Sequence, residues 1–149
     1  IGVFVNEDTQ RINDIAKDIK LNTIQLHGDE SPDYLDQINY PVIKAFRVDE
    51  NFDFTRLSLY KNCSFLLDSF HKKEYGGTGI KFNWKKIPYE IRQKIILAGG
   101  ISEESIEFIF NEISPYAIDV SSSIEIEPGI KDINKLKRLF EKINELRKV

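Results

Sequence analysis

Apolar positions along the chain follow two alternating rhythms, and the alternation predicts an α/β fold. Short runs rich in β-branched and aromatic residues read as strands: IGVFVN (1–6), TIQLHG (23–28), VIKAFRV (42–48), FLLDS (65–69), IILAGG (95–100) and YAIDVSSS (116–123). Between them apolar residues recur at helical spacing. Ile12, Ile15, Ala16 and Ile19 mark the first such segment. A second opens at Ser31 with Pro32 in its first turn, where the missing N–H does no harm. Weaker helical patterns cover 54–60 and 84–92. Ser102 reads as the N-cap of a helix with Ile106, Ile109, Phe110 and Ile113 on one face. Ile133, Leu136, Phe140 and Ile143 mark the last amphipathic helix.

Near-continuous apolar strands such as IILA fit burial on both faces, and strands alternating with helices fit parallel βαβ units. An open six-stranded sheet satisfies this pattern, and so does most of a (βα)8 TIM barrel. A typical barrel uses about 25 to 30 residues per unit, so this chain holds about six units and two would be missing. No Pro/Gly/Ser-rich linker divides the chain, which reads as a single domain over 1–149. It begins at Ile1, contains no methionine and enters a strand at once, as a cut chain would.

Composition narrows the partners. Hydrophobic residues make up 41% and charged residues 30%, as in an ordinary globular protein. The net charge of -3 gives no broad basic field for nucleic acid or an anionic membrane. No apolar run approaches the roughly 20 residues that cross a bilayer. The single Cys63 forms no internal disulfide, and cysteines and histidines at zinc spacing are absent, so neither a metal nor an oxidising compartment is implied and a cytoplasmic setting is expected.

In either architecture ligands gather at the carboxyl ends of the parallel strands. Those ends carry His27 with Gly28, Arg47, Asp68 with Ser69, Gly99 with Gly100, and Asp119 with Ser121 and Ser122. AGG (98–100) followed by a helix is either a tight turn or an anion site. The second reading gains from DVSSS (119–123) one strand later, whose hydroxyls complete a phosphate cradle. Glu103 and Glu104 would oppose a phosphate unless they face outward. Asp68 either caps the following turn or acts as a general acid. YGGTG (75–79) fits a loop closing over a ligand and does not match the Walker or G-x-G-x-x-G patterns. His27 either lines the pocket or bonds a neighbouring loop. Arg47 either holds a substrate carboxylate or pairs with Asp49 or Glu50. Cys63 precedes the strand of Asp68, at the amino end, and reads as a packed thiol.

Taken together, VFVNE (3–7), QLHGDE (25–30), KAFRV (44–48), LLDS (66–69), YGGTG with KFNW (75–84), LAGGI (97–101), DVSSS with IE (119–125) and PGIKD (128–132) closely resemble the phosphoribosylanthranilate isomerase family of tryptophan biosynthesis. The resemblance runs over essentially the whole chain, in the family's order. It implies a (βα)8 barrel without metal or organic cofactor, and the Amadori rearrangement of N-(5-phosphoribosyl)anthranilate to 1-(2-carboxyphenylamino)-1-deoxyribulose 5-phosphate. It assigns the general acid to Asp68 and the phosphate to Gly99, Gly100, Ser121 and Ser122. His27 and Asp119 would line the pocket, and the loop through Gly76, Gly77 and Gly79 would cover it.

Two departures accompany the resemblance. Ser123 stands where the family usually has Gly, which raises the question of positive φ there. The match also begins at the family's third strand and runs to its eighth. The first strand ordinarily supplies a cysteine as general base, and the segment after the second an arginine for the anthranilate carboxylate; neither is present. The expectation is a chain inactive by itself, with a second copy or a complementing amino-terminal segment as partner. The alternative from another class is a non-catalytic phosphate-binding barrel fragment. The lysine and glutamate sets of indole-glycerol-phosphate synthase are not evident at these strand ends.

Overall fold

The computed structural model describes residues 1–69 and 82–148. Six parallel strands form one sheet: β1 (Gly2–Phe4), β2 (Ile24–Leu26), β3 (Val42–Val48), β4 (Cys63–Ser69), β5 (Ile95–Ala98) and β6 (Ala117–Ile118). Their order in space is their order in sequence. A doubly wound sheet reverses its order at a switch point, whereas right-handed crossovers that always step the same way put every connection on one face and curl the sheet. Of the two architectures open to the sequence, this is the wall of a barrel, and the parallel six-stranded α/β fold is as expected.

The two faces of the wall differ in what covers them. Leu26, Val42, Phe46, Leu67, Ile95 and Leu97 point outward into clusters with the connecting segments, and five of these side chains besides Val42 are at most 6% exposed. Each such burial contributes about 1.5–3 kcal/mol. Alternate residues Ile43, Ala45, Leu66 and Ala98, with Ile96, form a smaller cluster on the concave face. Val3 is in register with Gln25 on that face and is 59% exposed.

The connections are less regular than the pattern predicts. α1 (Thr9–Asp18) is capped by Asp8, whose carboxylate accepts from the Arg11 N–H at 2.9 Å. α2 (Pro32–Leu35) begins at the expected proline. Residues Phe54–Leu59 and Trp84–Lys86 are 3-10 turns, the second followed by α3 (Tyr89–Arg92). The expected helix capped by Ser102 is instead one α turn, α4 (Ile106–Phe108), running into a π turn over Ile109–Ile113. Ser102 turns its hydroxyl to Glu104 and gives only its carbonyl to the N–H groups of Ser105 and Ile106. The π turn closes on Ser114, at φ +50°, with its N–H on the Ile109 carbonyl.

The last strand is also shorter than expected. β6 is an edge strand with a partner on one side only, so DVSSS leaves the sheet after a single further bond, Asp119 N–H to the Leu97 carbonyl at 2.8 Å. Ser122–Ile124 then form a 3-10 turn. An unexpected antiparallel hairpin follows, β7 (Glu125–Glu127) and β8 (Ile130–Lys131), turned by Pro128 and by Gly129 at φ +86°. α5 (Ile133–Leu146) lies where predicted and is capped by Asp132. Its buried stripe is rotated: Leu139 and Ile143 are buried, while Ile133 and Phe140 are 58% and 56% exposed.

Candidate active site

The cavity at the carboxyl ends of β4, β5 and β6 has a volume near 230 Å³ and is lined by His27, Asp68, Gly99, Gly100, Asp119 and Ser121–Ser123 among others. Register explains the meeting: Asp68 pairs across the sheet with Arg47 on one side and Ala98 on the other, so Gly99 and Gly100 emerge beside the carboxylate. Both glycines have positive φ, +77° and +67°. At Gly99 glycine is required twice over, because a Cβ would stand 2.4 Å from Asp68 Oδ1 and 2.6 Å from the Ser69 carbonyl oxygen. The Ser69 hydroxyl in turn donates to the Gly99 carbonyl at 2.6 Å. The Asp68 carboxylate and the glycine turn are therefore one packed unit; the turn that Asp68 could cap lies outside the described residues.

His27 faces Asp68, with Nε2 3.3 Å from Oδ2. Its Nδ1 lies 3.2 Å from the amide nitrogen of Gln25, which is 7% exposed. The residue after His27 is held by a buried ion pair. Lys44 and Glu30, with side chains 2% and 1% exposed, meet at 3.0 Å. Glu30 also accepts from the N–H groups of Asn6 and Gly28, and Lys44 also donates to the Gly28 and Ala45 carbonyls. Burial alone would push the Glu30 carboxyl up, but the Asn6 N–H and the Lys44 ammonium outweigh it and hold it below its ordinary value. The Asn6 side-chain oxygen and Glu30 Oε1 leave no room for a Cβ at Gly28.

The serine loop carries a cation that the sequence reading passed over. Lys131, brought back by the hairpin, lies 3.1 Å from Ser121 Oγ and 2.7 Å from Glu125. Its ammonium holds the Glu125 carboxyl below the usual range. A Pro-Gly turn with a lysine two residues on was the signal for it. Ser123 is not among the residues of positive φ, so the departure from Gly leaves its backbone unstrained. Among the described residues its buried hydroxyl has no partner. Glu103 and Glu104 line a different cavity, Glu103 bonded to Arg138, so they do not oppose an anion here.

Of the two readings of Arg47, the ion pair is not the one found. Arg47 forms no ion pair with Asp49 or Glu50: Asp49 caps Asn51 and Glu50 pairs with Lys86. It lines a neighbouring cavity near 150 Å³ with His27, Phe52, Arg56 and Tyr60 and does not reach the glycine–serine cavity. Cys63 is the first residue of β4, at the amino end as expected, and burial pushes its thiol up. Gly76, Gly77 and Gly79 lie outside the described residues.

A parallel barrel wall with an acid, an imidazole and a glycine–serine turn at its strand ends defines an α/β enzyme of the barrel class. The chain belongs to the N-(5'-phosphoribosyl)anthranilate (PRA) isomerase family, whose model matches residues 1–142. The isomerase of Thermoanaerobacter pseudethanolicus is 44% identical over 149 residues, covering 99% of this chain and 73% of its own length. The crystal structure of the Thermotoga maritima enzyme superposes with a TM-score of 0.82 at 36% identity, over 97% of this chain and 72% of that one. A further isomerase structure, in complex with reduced 1-(o-carboxyphenylamino)-1-deoxyribulose 5-phosphate, has a TM-score of 0.80 at 32% identity, over 97% and 70%.

Proposed function

We propose that this cavity binds N-(5-phosphoribosyl)anthranilate and that Asp68 is the general acid of its Amadori rearrangement. The observation that carries the reading is the packing of Asp68 against Gly99: one piece of backbone holds the acid beside the phosphate cradle. The phosphate sits on the Gly99 and Gly100 backbone and on Ser121 and Ser122, with Lys131 supplying positive charge at the rim. The complex of a related isomerase with a reduced product supports the ligand class.

The chemistry balances without a cofactor. Asp68 gives its proton to the ribose ring oxygen; the C1–O bond breaks and the nitrogen lone pair forms the Schiff base. A base then takes the C2 proton, the electrons of that bond form the enolamine, and tautomerisation adds a proton at C1 as the C2 hydroxyl gives up its own and becomes the ketone. Hydrogen moves from C2 to C1, so nothing is oxidised overall.

Among the described residues, no cysteine stands at a strand carboxyl end to serve as the base. Cys63 stands at the wrong end of β4 with its thiol pushed up, and the family pattern puts the base cysteine on the barrel's first strand. On the concave face Val3, in register with Gln25, is 59% exposed, an apolar surface that a further strand would cover. The 149-residue chain is therefore expected to bind phosphate and turn over little, and to gain activity from the amino-terminal βα units of a relative, added as a fusion or a separate segment. Turnover by the chain alone at the rate of the complemented enzyme would overturn the claim about the base. A complemented chain that binds the product analogue without turnover would favour the non-catalytic reading.

A further inference from the structure

We infer that Gln25 is a positioning residue for the acid: its amide fixes the tautomer of His27, and the tautomer decides which oxygen of Asp68 carries the proton. This rests on the reading of Asp68 as the acid and goes beyond it. Gln25 and His27 are two apart on β2 and its extension, so both face the concave side. Gln25 is 7% exposed, and its amide nitrogen, which can only donate, is 3.2 Å from His27 Nδ1. A neutral ring that accepts at Nδ1 must carry its hydrogen on Nε2, and Nε2 is the atom 3.3 Å from Asp68 Oδ2.

The consequence falls on Asp68. Oδ2 accepts from His27 whether the carboxyl is protonated or not, so the transferable proton belongs on Oδ1. Oδ1 is the oxygen that lies against Gly99, on the side of the phosphate cradle. When Oδ1 gives up its proton to the ring oxygen, the hydrogen bond from His27 strengthens on the new carboxylate. An amide turned by half a rotation would present its oxygen to Nδ1, demand a hydrogen there, and set the Nε2 lone pair against Oδ2. Among the described residues the other ionisable groups that line a cavity with the imidazole are Asp119 from the cradle side, and Arg47, Arg56, Tyr60, Lys44, Asp29 and Glu30 from the neighbouring cavity. Lys44 and Glu30 are paired with each other.

The test reads ring-nitrogen shifts of His27 by ¹⁵N NMR above the pH at which the imidazole is neutral, assigned by comparison with His71→Gln. The chain as it stands should show a protonated Nε2 and an unprotonated Nδ1. Gln25→Glu should invert this, because a carboxylate accepts from Nδ1–H, and Gln25→Leu, which buries no charge, should lower the Nε2–H fraction. In the complemented enzyme Gln25→Glu should lower kcat by about 10-fold or more with little change in KM, a part of what a general acid contributes. A wild-type ring protonated on Nδ1, or a tautomer unchanged in both variants, would overturn the proposal. The tautomer is read without turnover, so its failure is distinct from a failure of Asp68 as the acid.

Discussion

Replacing Gly99 by alanine perturbs the acid and the anion turn through a single methyl group. At φ +77° an L-residue is strained, which costs about 1–2 kcal/mol. The new Cβ would also stand 2.4 Å from Asp68 Oδ1, 2.6 Å from the Ser69 oxygen and 2.7 Å from the Ser69 nitrogen. The last two are backbone atoms of β4 and cannot rotate away, so overpacking adds about 1–3 kcal/mol. Gly129 isolates the first effect, since its φ is +86° and nothing lies within 4 Å of a Cβ there. Urea unfolding of both variants should therefore give a loss for Gly99→Ala that exceeds that for Gly129→Ala by about 1–3 kcal/mol at equal m-value. In the complemented enzyme Gly99→Ala should also lower turnover by about 100-fold, the effect of moving a reacting group by roughly 1 Å. Equal losses of stability for the two variants, or family-like turnover by Gly99→Ala, would refute the argument that acid and cradle share one backbone unit.

Other substitutions probe the surroundings of the site. Lys44→Met leaves Glu30 buried without its ammonium and should cost about 3–5 kcal/mol, while adding Glu30→Gln should recover part of the loss in a double-mutant cycle. Because the Glu30 carboxyl is held below its ordinary value in the folded state, its contribution is present above the unfolded value of about 4.3 and is lost as pH falls through the folded one; the thermal midpoint of Glu30→Gln should fall less steeply on acidification. Arg47, without an ion pair among the described residues, is the candidate for the substrate carboxylate from the neighbouring cavity, and Arg47→Ala should raise KM by about 10-fold or more with kcat little changed. Lys131→Ala should weaken binding of inorganic phosphate, an effect that shrinks at high salt.

The placement of the site was legible because parallel strands deliver polar residues to one end, and Asp68, Gly99, Gly100, Asp119, Ser121 and Ser122 do share a cavity. The sheet order was not legible, since an open sheet and a barrel wall bury the same apolar runs. Helix starts failed where a side chain had two choices: Ser102 could cap or bond Glu104, and only the packing of Ile106 and Ile109 decides where regular structure begins. Phe140 follows the helical period as well as Leu139 does, yet the contact surface of α5 takes Leu139. The two readings of Arg47 could not be separated in sequence, where Asp49 and Glu50 stand close by, because only the fold shows that Glu50 is claimed by Lys86 from across the structure. Gln25 could have been found from its period-two relation to His27, a spacing that puts both on one face.

The most direct measurement is Asp68→Asn in the chain complemented with amino-terminal βα units, with kcat for N-(5-phosphoribosyl)anthranilate and Kd for the reduced product analogue determined on the same preparation. An amide keeps the size of the side chain and its contact with Gly99 but has no acidic proton to give. The account predicts a kcat lower by about 100- to 10,000-fold, the share of a general acid, with Kd for the analogue changed only a few-fold because the phosphate cradle is untouched. Turnover preserved in Asp68→Asn, or binding lost together with turnover, would contradict it.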